Sequence, residues 1–122
     1  MKREILFKGK RVDNGEWVEG FLMQENFIRR KISCLRNGKK RILYSQHEVN
    51  PETVCQFTGL LDKNGNKIFE GDKLFVCAGY SSTVEFQDAM FVSVYVHPED
   101  GEVIPLLDAV GKDTEIIGNI HD

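Results

Sequence analysis

The chain has 122 residues, of which 41% are hydrophobic and 29% charged, and its formal net charge at pH 7 is −3. This composition is ordinary for one globular domain, or for one domain with a small added lobe, and it excludes a disordered, collagen-like or low-complexity chain. No apolar run approaches the roughly 18 residues of a membrane-spanning helix, and none near the start resembles a secretory signal. We therefore expect a cytoplasmic protein that does not bind membranes.

Four two-residue turns organise the predicted fold. Asn-Gly pairs stand at residues 14–15, 37–38 and 64–65, and an Asp-Gly pair stands at residues 100–101, each between strand-like segments. Both kinds of pair tolerate positive φ at two successive positions, as the type I′ hairpin turn requires. The pattern predicts four antiparallel hairpins.

Counting outward from a two-residue turn predicts which residues lie opposite each other. At most of these positions apolar residues meet, or opposite charges meet, which would stabilise the hairpin. The predicted pairs are Lys10 with Glu19, Val12 with Trp17, Asp62 with Lys67, Leu61 with Ile68, Leu60 with Phe69, Pro98 with Val103, and His97 with Ile104.

The segments between the turns predict a mainly β protein with little helix. As a strand, residues 17–23 place Trp17, Glu19, Phe21 and Met23 on one face and Val18, Gly20 and Leu22 on the other. The segments 74–77, 83–86, 91–96 and 115–120 also suit strands, and several of them are rich in β-branched and aromatic residues. We expect only one or two short helical turns, one after Asn50 as N-cap with Pro51 in the first helical position, and one near residues 106–112.

This pattern predicts two parts of the chain. An N-terminal basic β-hairpin lobe is expected over residues 1–55. The C-terminal residues 56–122 supply five short strands, which suit a small SH3-like β-barrel. The two parts could also form one compact unit.

The residue types that most often carry chemistry form no recognisable site in this sequence. Cys34, Cys55 and Cys77 have neither disulfide-framework nor zinc spacing, and no histidine has a second ligand near it. Nucleophile, phosphate-loop and metalloprotease motifs are absent. We expect reduced, mostly buried thiols, and no catalytic residue, cofactor or metal.

Charge is unevenly distributed along the chain. Residues 1–50 hold twelve Lys/Arg and six Asp/Glu, a net +6, whereas residues 51–122 hold four Lys and thirteen Asp/Glu, a net −9. Three interpretations stay open: a half that binds a polyanion, two lobes or two subunits that attract each other, or two unrelated solvated surfaces. The second interpretation includes a homo-oligomer.

Seven basic residues near the second turn form the one candidate binding site. They are Arg29, Arg30, Lys31, Arg36, Lys39, Lys40 and Arg41. A two-residue turn places Arg36 opposite Lys39, and like charges directly opposite destabilise a hairpin. A nucleic-acid backbone or an acidic protein surface, a sister subunit included, would relieve this repulsion. The simplest alternative is a solvated tip without a ligand. Only Phe27 and Tyr44 nearby are suited to base stacking.

Residues 49–72 resemble the signature of the YopX family of phage and prophage proteins. The segment runs Pro-Glu-Thr-Val at 51–54, Gln-Phe-Thr-Gly-Leu at 56–60, Asp-Lys-Asn-Gly at 62–65 and Ile-Phe-Glu-Gly-Asp at 68–72. The opening and the end of the chain are similar to the family as well, although Cys55 stands where the family often has Gly. The resemblance implies a product of a temperate phage or prophage that acts inside a bacterial host cell, with no established catalytic activity.

The shared motif is interpreted as a folding element rather than an active site, because it combines a capped turn, a strand, a hairpin and a second turn. Its residues are Pro51, Glu52, Thr53, Gln56, Thr58, Gly59, Leu60, Asp62, Asn64, Gly65, Glu70, Gly71 and Asp72. The first hypothesis is a non-enzymatic accessory protein that binds a host or phage macromolecule, most simply a protein. The second is a nucleic-acid-binding protein that uses residues 29–41, and the third is an enzyme with a dispersed site.

Overall fold

A computed structural model describes residues 5–77, 80–95, 103–111 and 113–122. Within these residues the chain is mainly β, as predicted. The strands are β1 Phe7–Lys10, β2 Trp17–Met23, β3 Phe27–Arg36, β4 Lys39–Glu48, β5 Cys55–Leu61, β6 Lys67–Phe69, β7 Asp72–Cys77, β8 Tyr80–Gln87, β9 Met90–Tyr95, β10 Val103–Pro105 and β11 Glu115–Asn119. Helix is limited to a 3-10 turn, Pro51–Thr53, and one α-helical turn, α1 Leu106–Ala109. Nowhere in the described ranges is a helix long and apolar enough to cross a membrane.

The chain divides into two compact units, Lys2–Gln56 and Phe57–Asp122. In the N-terminal unit the antiparallel strand order is β4-β3-β2-β1-β5, and consecutive strands β1 to β4 are joined as hairpins. Along each strand the side chains alternate between the two faces of the sheet. One of these faces is buried. Val18, Ile28 and Val49 form the core there.

The 3-10 turn forms where the sequence predicts it. Asn50 caps it, because its side-chain oxygen accepts the backbone N–H of Glu52 at 3.1 Å, and Pro51 occupies the first position. The Thr53 hydroxyl accepts the N–H of Lys10 at 2.8 Å and donates to the Asn50 carbonyl at 2.7 Å. These bonds join the turn to β1 within the N-terminal unit.

The C-terminal unit contains a five-stranded antiparallel sheet in the order β10-β9-β8-β7-β11. Its core is formed by Ile68, Leu74, Val84 and Leu106. The strand β5 continues into this unit and pairs with β6. Among the described strands no pairing joins β10 to β11, so the sheet does not close and the expected SH3-like barrel is not confirmed.

Of the predicted two-residue turns, the one at residues 37–38 is confirmed. Asn37 and Gly38 have φ of 54° and 72°, and Arg36 lies opposite Lys39. Both central residues therefore have the positive φ of a type I′ turn.

The first predicted hairpin forms, but its predicted register is wrong. Trp17 lies opposite Lys10 rather than Val12. Glu19 lies opposite Lys8 rather than Lys10. The connecting loop is longer than two residues.

The three predicted pairs around residues 64–65 are also wrong. Leu61 lies opposite Lys67 and Phe57 lies opposite Phe69, and the register shifts between these two pairs. The rings of Phe57 and Phe69 are 5.6 Å apart between their centres, so an aromatic contact stabilises the observed register.

Side-chain hydrogen bonds explain why these two turns differ from the prediction. Asn14 Oδ1 accepts the backbone N–H of Glu16 at 3.0 Å, and Asp62 Oδ1 accepts that of Asn66 at 2.9 Å. Asn and Asp often bind their own backbone in this way, which offers the chain an alternative to a type I′ turn. In both turns only the glycine has positive φ.

In the fourth hairpin Val103 and Ile104 lie opposite Val94 and Ser93. The predicted register, in which Pro98 and His97 are their partners, is therefore wrong. The turn itself, at residues 100–101, lies outside the described residues.

Two of the three cysteines have described side chains, and both are reduced. Cys55 is buried, and its Sγ donates to the carbonyl of Thr53 at 3.2 Å. Cys34 is half-buried on β3. Buried thiols of this kind act as small apolar side chains.

Candidate functional site

The candidate site is the outer part of the hairpin formed by β3 and β4. These strands pair over ten residues each, but β2 pairs only with the first three residues of β3. Residues 30–45 therefore form a two-stranded ribbon that extends beyond β2, and we call this ribbon the arm. At about 3.3 Å per residue, the six steps from Arg30 to Arg36 span about 20 Å.

The arm has no core of its own. All of its residues are exposed except Cys34 and Ser45, which are half-buried. Even the apolar side chains are open to solvent, and Leu35 is 79% exposed. A two-stranded ribbon is at best marginally stable in water without a layer packed against it. The arm is therefore a surface available for contact on both faces.

The charge of the arm is uniform. Residues 28–47, which are the arm and the two residues on each side of it, contain seven Lys/Arg and no Asp/Glu. Among the described residues none of the seven takes part in an ion pair. At the tip the like-charged side chains of Arg36 and Lys39 lie directly opposite each other, which costs stability.

The structure divides the seven basic residues between the two faces of the ribbon. Residues directly opposite each other share a face, and neighbours along a strand alternate. The first face, which continues from buried Ile28, carries Arg30, Arg36, Lys39 and Arg41. The second face carries Arg29, Lys31 and Lys40. A ligand of the arm can therefore be contacted from either side, although one flat surface cannot meet all seven.

The second face of the arm continues onto the open face of the N-terminal sheet. The register places Phe21 opposite Arg29 and Lys31 opposite Tyr44. The guanidinium carbon of Arg29 lies 5.7 Å from the centre of the Tyr44 ring. At the other end of this face Trp17 has the Lys8 and Lys10 ammonium groups 4.5 and 5.4 Å from its ring centre.

Sequence reasoning named Tyr44 and Phe27 but missed Trp17 and Phe21 as parts of this surface. The alternation of residues 17–23 shows that Trp17 and Phe21 share a face. The pairing of β2 with β3 then places that face beside the basic residues. The pairing of one strand with another is not visible in the pattern of a single strand.

The family-motif residue Asp62 binds the backbone. Its Oδ1 accepts the N–H groups of Asn64 and Asn66 at 2.9 Å each, and its Oδ2 accepts that of Ile116 at 3.2 Å. Burial raises the pKa of Asp62, but the three backbone N–H donors together outweigh burial and hold the pKa below its ordinary value. The carboxylate thus connects the turn after β5 to β11.

Asp72 plays a similar part at the second turn of the motif. Its Oδ2 accepts the N–H of Phe69 at 2.8 Å, and its Oδ1 accepts the side-chain amide of Asn119 at 2.9 Å. Gly71 has φ of 85°, and its N–H donates to the Val84 carbonyl at 2.8 Å. These contacts connect the turn to β8 and β11.

The remaining motif residues lie in the same short elements. The hydroxyl of Thr58 donates to the Ile68 carbonyl at 2.7 Å. Gly59 and Gly65 have positive φ. Pro51, Glu52 and Asn64 are exposed, Thr53 is buried, and Gln56, Leu60 and Glu70 are half-buried. The interpretation of the motif as a folding element stays a prediction.

The N-terminal unit also has a groove of about 660 Å³ beside the 3-10 turn. Its lining includes Lys10 at the end of β1, Arg11 just after it, and Glu25 and Glu48, so charges of both signs surround it. Within the described ranges no three His, Cys, Asp or Glu side chains are grouped to hold a metal ion. The groove offers no convergent set of donors for a particular ligand.

A protein-family comparison gives a clear result for this chain. The family model described as YopX protein matches residues 6–122. The match covers both units and the whole arm. None of the curated proteins compared with the chain matches it.

Proposed function

The chain belongs to the YopX protein family, and we propose that it is a non-enzymatic, phage-type accessory protein that binds nucleic acid through the arm inside a bacterial host cell. One observation supports this proposal above all others. The arm extends from the sheet with six cations and no carboxylate, Arg29 adds a seventh cation at its base, and its tip keeps two like charges opposite each other. A line of phosphates would relieve that repulsion.

The shape of the arm suits a duplex groove. Neighbouring strands are about 4.8 Å apart, so a two-stranded ribbon is narrow enough for the major groove, which is about 12 Å wide. Because the cations lie on both faces, they can reach the phosphates on the two sides of the groove. Few side chains suited to reading base edges lie among them, so we expect little sequence preference.

The rival partner is an acidic protein surface, from the host, from the phage or from a second copy of this chain. Residues 51–122 carry a net charge of −9, which gives a second copy a complementary surface. Nucleic acid is favoured because the basic residues continue for about 20 Å along a narrow ribbon, and a polyanion of regular charge spacing matches that arrangement. The two partners differ in their salt dependence, since DNA releases condensed counterions.

The test is binding of a labelled duplex, followed by fluorescence anisotropy at several salt concentrations. Three or four phosphate contacts predict a slope of log K against log salt of about −3. Replacing the four residues nearest the tip by Ser should remove most of the binding. These residues are Arg36, Lys39, Lys40 and Arg41. The fold should be unharmed, because the substitutions relieve repulsion at the tip.

A pair of double variants supplies the matched control. Arg36→Ser with Lys39→Ser and Lys63→Ser with Lys73→Ser each remove two exposed positive charges. We expect only the first to lower the affinity and to reduce the salt slope, by about 2. The proposal is overturned if the protein retains neither DNA nor RNA at about 50 mM salt. It is also overturned if binding survives when Arg36, Lys39, Lys40 and Arg41 are all replaced by Ser. Salt-sensitive self-association in sedimentation, without nucleic-acid binding, would instead assign the arm to a second copy.

A further inference from the structure

We infer that the open face of the N-terminal sheet is a base-stacking platform, so that the protein prefers single-stranded nucleic acid to a duplex. This inference rests on the proposed function and names the ligand class of that site. The platform consists of Trp17, Phe21, Arg29, Lys31 and Tyr44, which the strand register places on one face of β2, β3 and β4.

The opposite face of the same strands makes the platform possible. Val18 and Ile28 face the core, so their neighbours along β2 and β3 must face outward. Gly20 lets the two backbones approach closely, because a Cβ at this position would lie 2.3 Å from the Arg29 carbonyl oxygen. The aromatic residues between the core positions therefore remain on the surface, where Phe21 is 48% and Tyr44 is 59% exposed.

Flat groups and positive charges alternate across the platform. Phe21 lies opposite Arg29, whose guanidinium packs near the Tyr44 ring, and Tyr44 lies opposite Lys31. Aromatic rings and guanidinium planes are the groups on which unpaired bases stack, and nearby cations hold the backbone. This face has both kinds of group on adjacent strands.

The distribution of charge on this face favours one direction for a bound strand. Glu19 and Glu48 lie toward the base of the sheet, away from the arm. Lys8 and Lys10 offset these two carboxylates, whereas Lys31 and Lys40 lie in a segment without any carboxylate and would attract phosphates more strongly. A single strand would thus run from Phe21 across Tyr44 and onto the arm.

A duplex cannot use the platform in the same way. Its base faces are stacked inside the helix, so the rings of Phe21 and Tyr44 have nothing to stack on. Strands about 4.8 Å apart make a four-stranded sheet about 15–20 Å wide, which does not enter a major groove about 12 Å wide. A duplex would therefore contact the arm alone, whereas a single strand contacts the arm and the platform.

The test compares a single-stranded DNA, a single-stranded RNA and a duplex of equal length by anisotropy at constant salt. Wild-type protein should bind a single strand at least about tenfold more tightly than the duplex. The double variant with Phe21→Leu and Tyr44→Leu keeps apolar bulk but loses both flat rings. It should lose about tenfold or more in single-strand affinity and change duplex affinity by less than about twofold.

Charge and fold are controlled separately. The salt slope should be unchanged in the double variant, because no charge is removed. Phe86→Leu replaces an exposed aromatic residue of the C-terminal unit and should leave single-strand binding unchanged. Tyr44→Phe keeps the ring and should bind like the wild type. Trp17 is the single tryptophan of the chain, so its fluorescence reports on this face and should be quenched by single strands only.

The outcomes separate the two proposals. The platform is overturned if duplex and single strand bind equally and the variant with Phe21→Leu and Tyr44→Leu binds like the wild type. If that binding is lost when Arg36, Lys39, Lys40 and Arg41 are replaced by Ser, the arm remains a nucleic-acid site. Loss of all nucleic-acid binding in the wild type overturns both. Self-association that the double variant abolishes, without any effect on single-strand affinity, would assign the face to a protein partner and overturn the platform. The separate DNA and RNA measurements show which kind of single strand is bound more tightly.

Discussion

Replacing Asp62 by Ala should lower the free energy of unfolding by about 2–4 kcal/mol. The carboxylate is only 7% exposed and accepts three backbone N–H groups. A hydrogen bond to a charged group contributes about 1.5–3 kcal/mol. The N–H groups of Asn64 and Asn66 lie in an exposed turn, where water can replace the carboxylate. The loss of these two hydrogen bonds therefore lowers the free energy of unfolding by less than the full amount. Ile116 lies on β11, and the loss of the hydrogen bond to its N–H should lower the free energy of unfolding by the full amount.

Asp62→Asn separates geometry from charge. The amide keeps an oxygen for the two turn N–H groups, but its NH₂ group then faces the N–H of Ile116. One hydrogen bond is lost and two donors meet, so we expect about half the effect of Asp62→Ala. Urea denaturation at pH 7 measures both variants, and Asp113→Asn, at an exposed turn position, is the matched control with little expected change.

The effect of Asp62 should depend on pH. Burial raises the pKa of this carboxyl, but the three N–H donors outweigh burial and lower the pKa below that of the unfolded chain. An unfolded Asp has a pKa of about 3.9. The stabilisation is therefore complete above about pH 5 and is lost as the pH falls through the lowered folded-state pKa. The difference between wild type and Asp62→Asn should shrink from pH 7 to pH 3.

Two results would contradict the stabilising role assigned to Asp62. An unchanged urea midpoint in Asp62→Ala would show that the three hydrogen bonds do not hold the turn against β11. A difference between wild type and Asp62→Asn that grows as the pH falls would show that the sign of the pKa shift is wrong.

Two further predictions concern glycines. Gly65→Val should destabilise by about 1–3 kcal/mol, because a β-branched residue is forced to positive φ, and the φ there is 81°. Gly111→Val, with open space at the site and no positive φ, should have a smaller effect on the urea midpoint. Gly20→Ala should cost about 1–3 kcal/mol, since its Cβ would clash with the Arg29 carbonyl. An unchanged melting temperature in Gly20→Ala, together with unchanged amide exchange in β2, would contradict the close approach.

Local chemistry made several elements predictable from the sequence. The Asn-Gly pair at residues 37–38 forms the predicted type I′ turn, because Asn and Gly both tolerate the positive φ that this turn requires. The cap of the 3-10 turn depends on Asn50 and Pro51, which are adjacent in sequence. The opposition of Arg36 and Lys39 follows directly from the two-residue turn.

Turns with side-chain hydrogen bonds were not predictable from the residue pair alone. At residues 64–65 the Asn-Gly pair favours a type I′ turn, but Asp62 binds the backbone on both sides of it and also reaches Ile116. Ile116 is 54 residues further along the chain. A contact of that separation depends on packing of the whole C-terminal unit, and it changes the local register.

For the candidate site, the basic cluster and the two faces of residues 17–23 could be read from the sequence. The structure was needed to show that β2 pairs with the base of β3 alone, which leaves residues 30–45 as an arm. It also decided which face is buried, because Val18, Ile28 and Val49 come from distant segments and form one core. Period-two alternation predicts that a strand has two faces. Burial of apolar area determines which of the two faces packs against the core. The aromatic and basic residues of the outer face meet as a consequence of that selection.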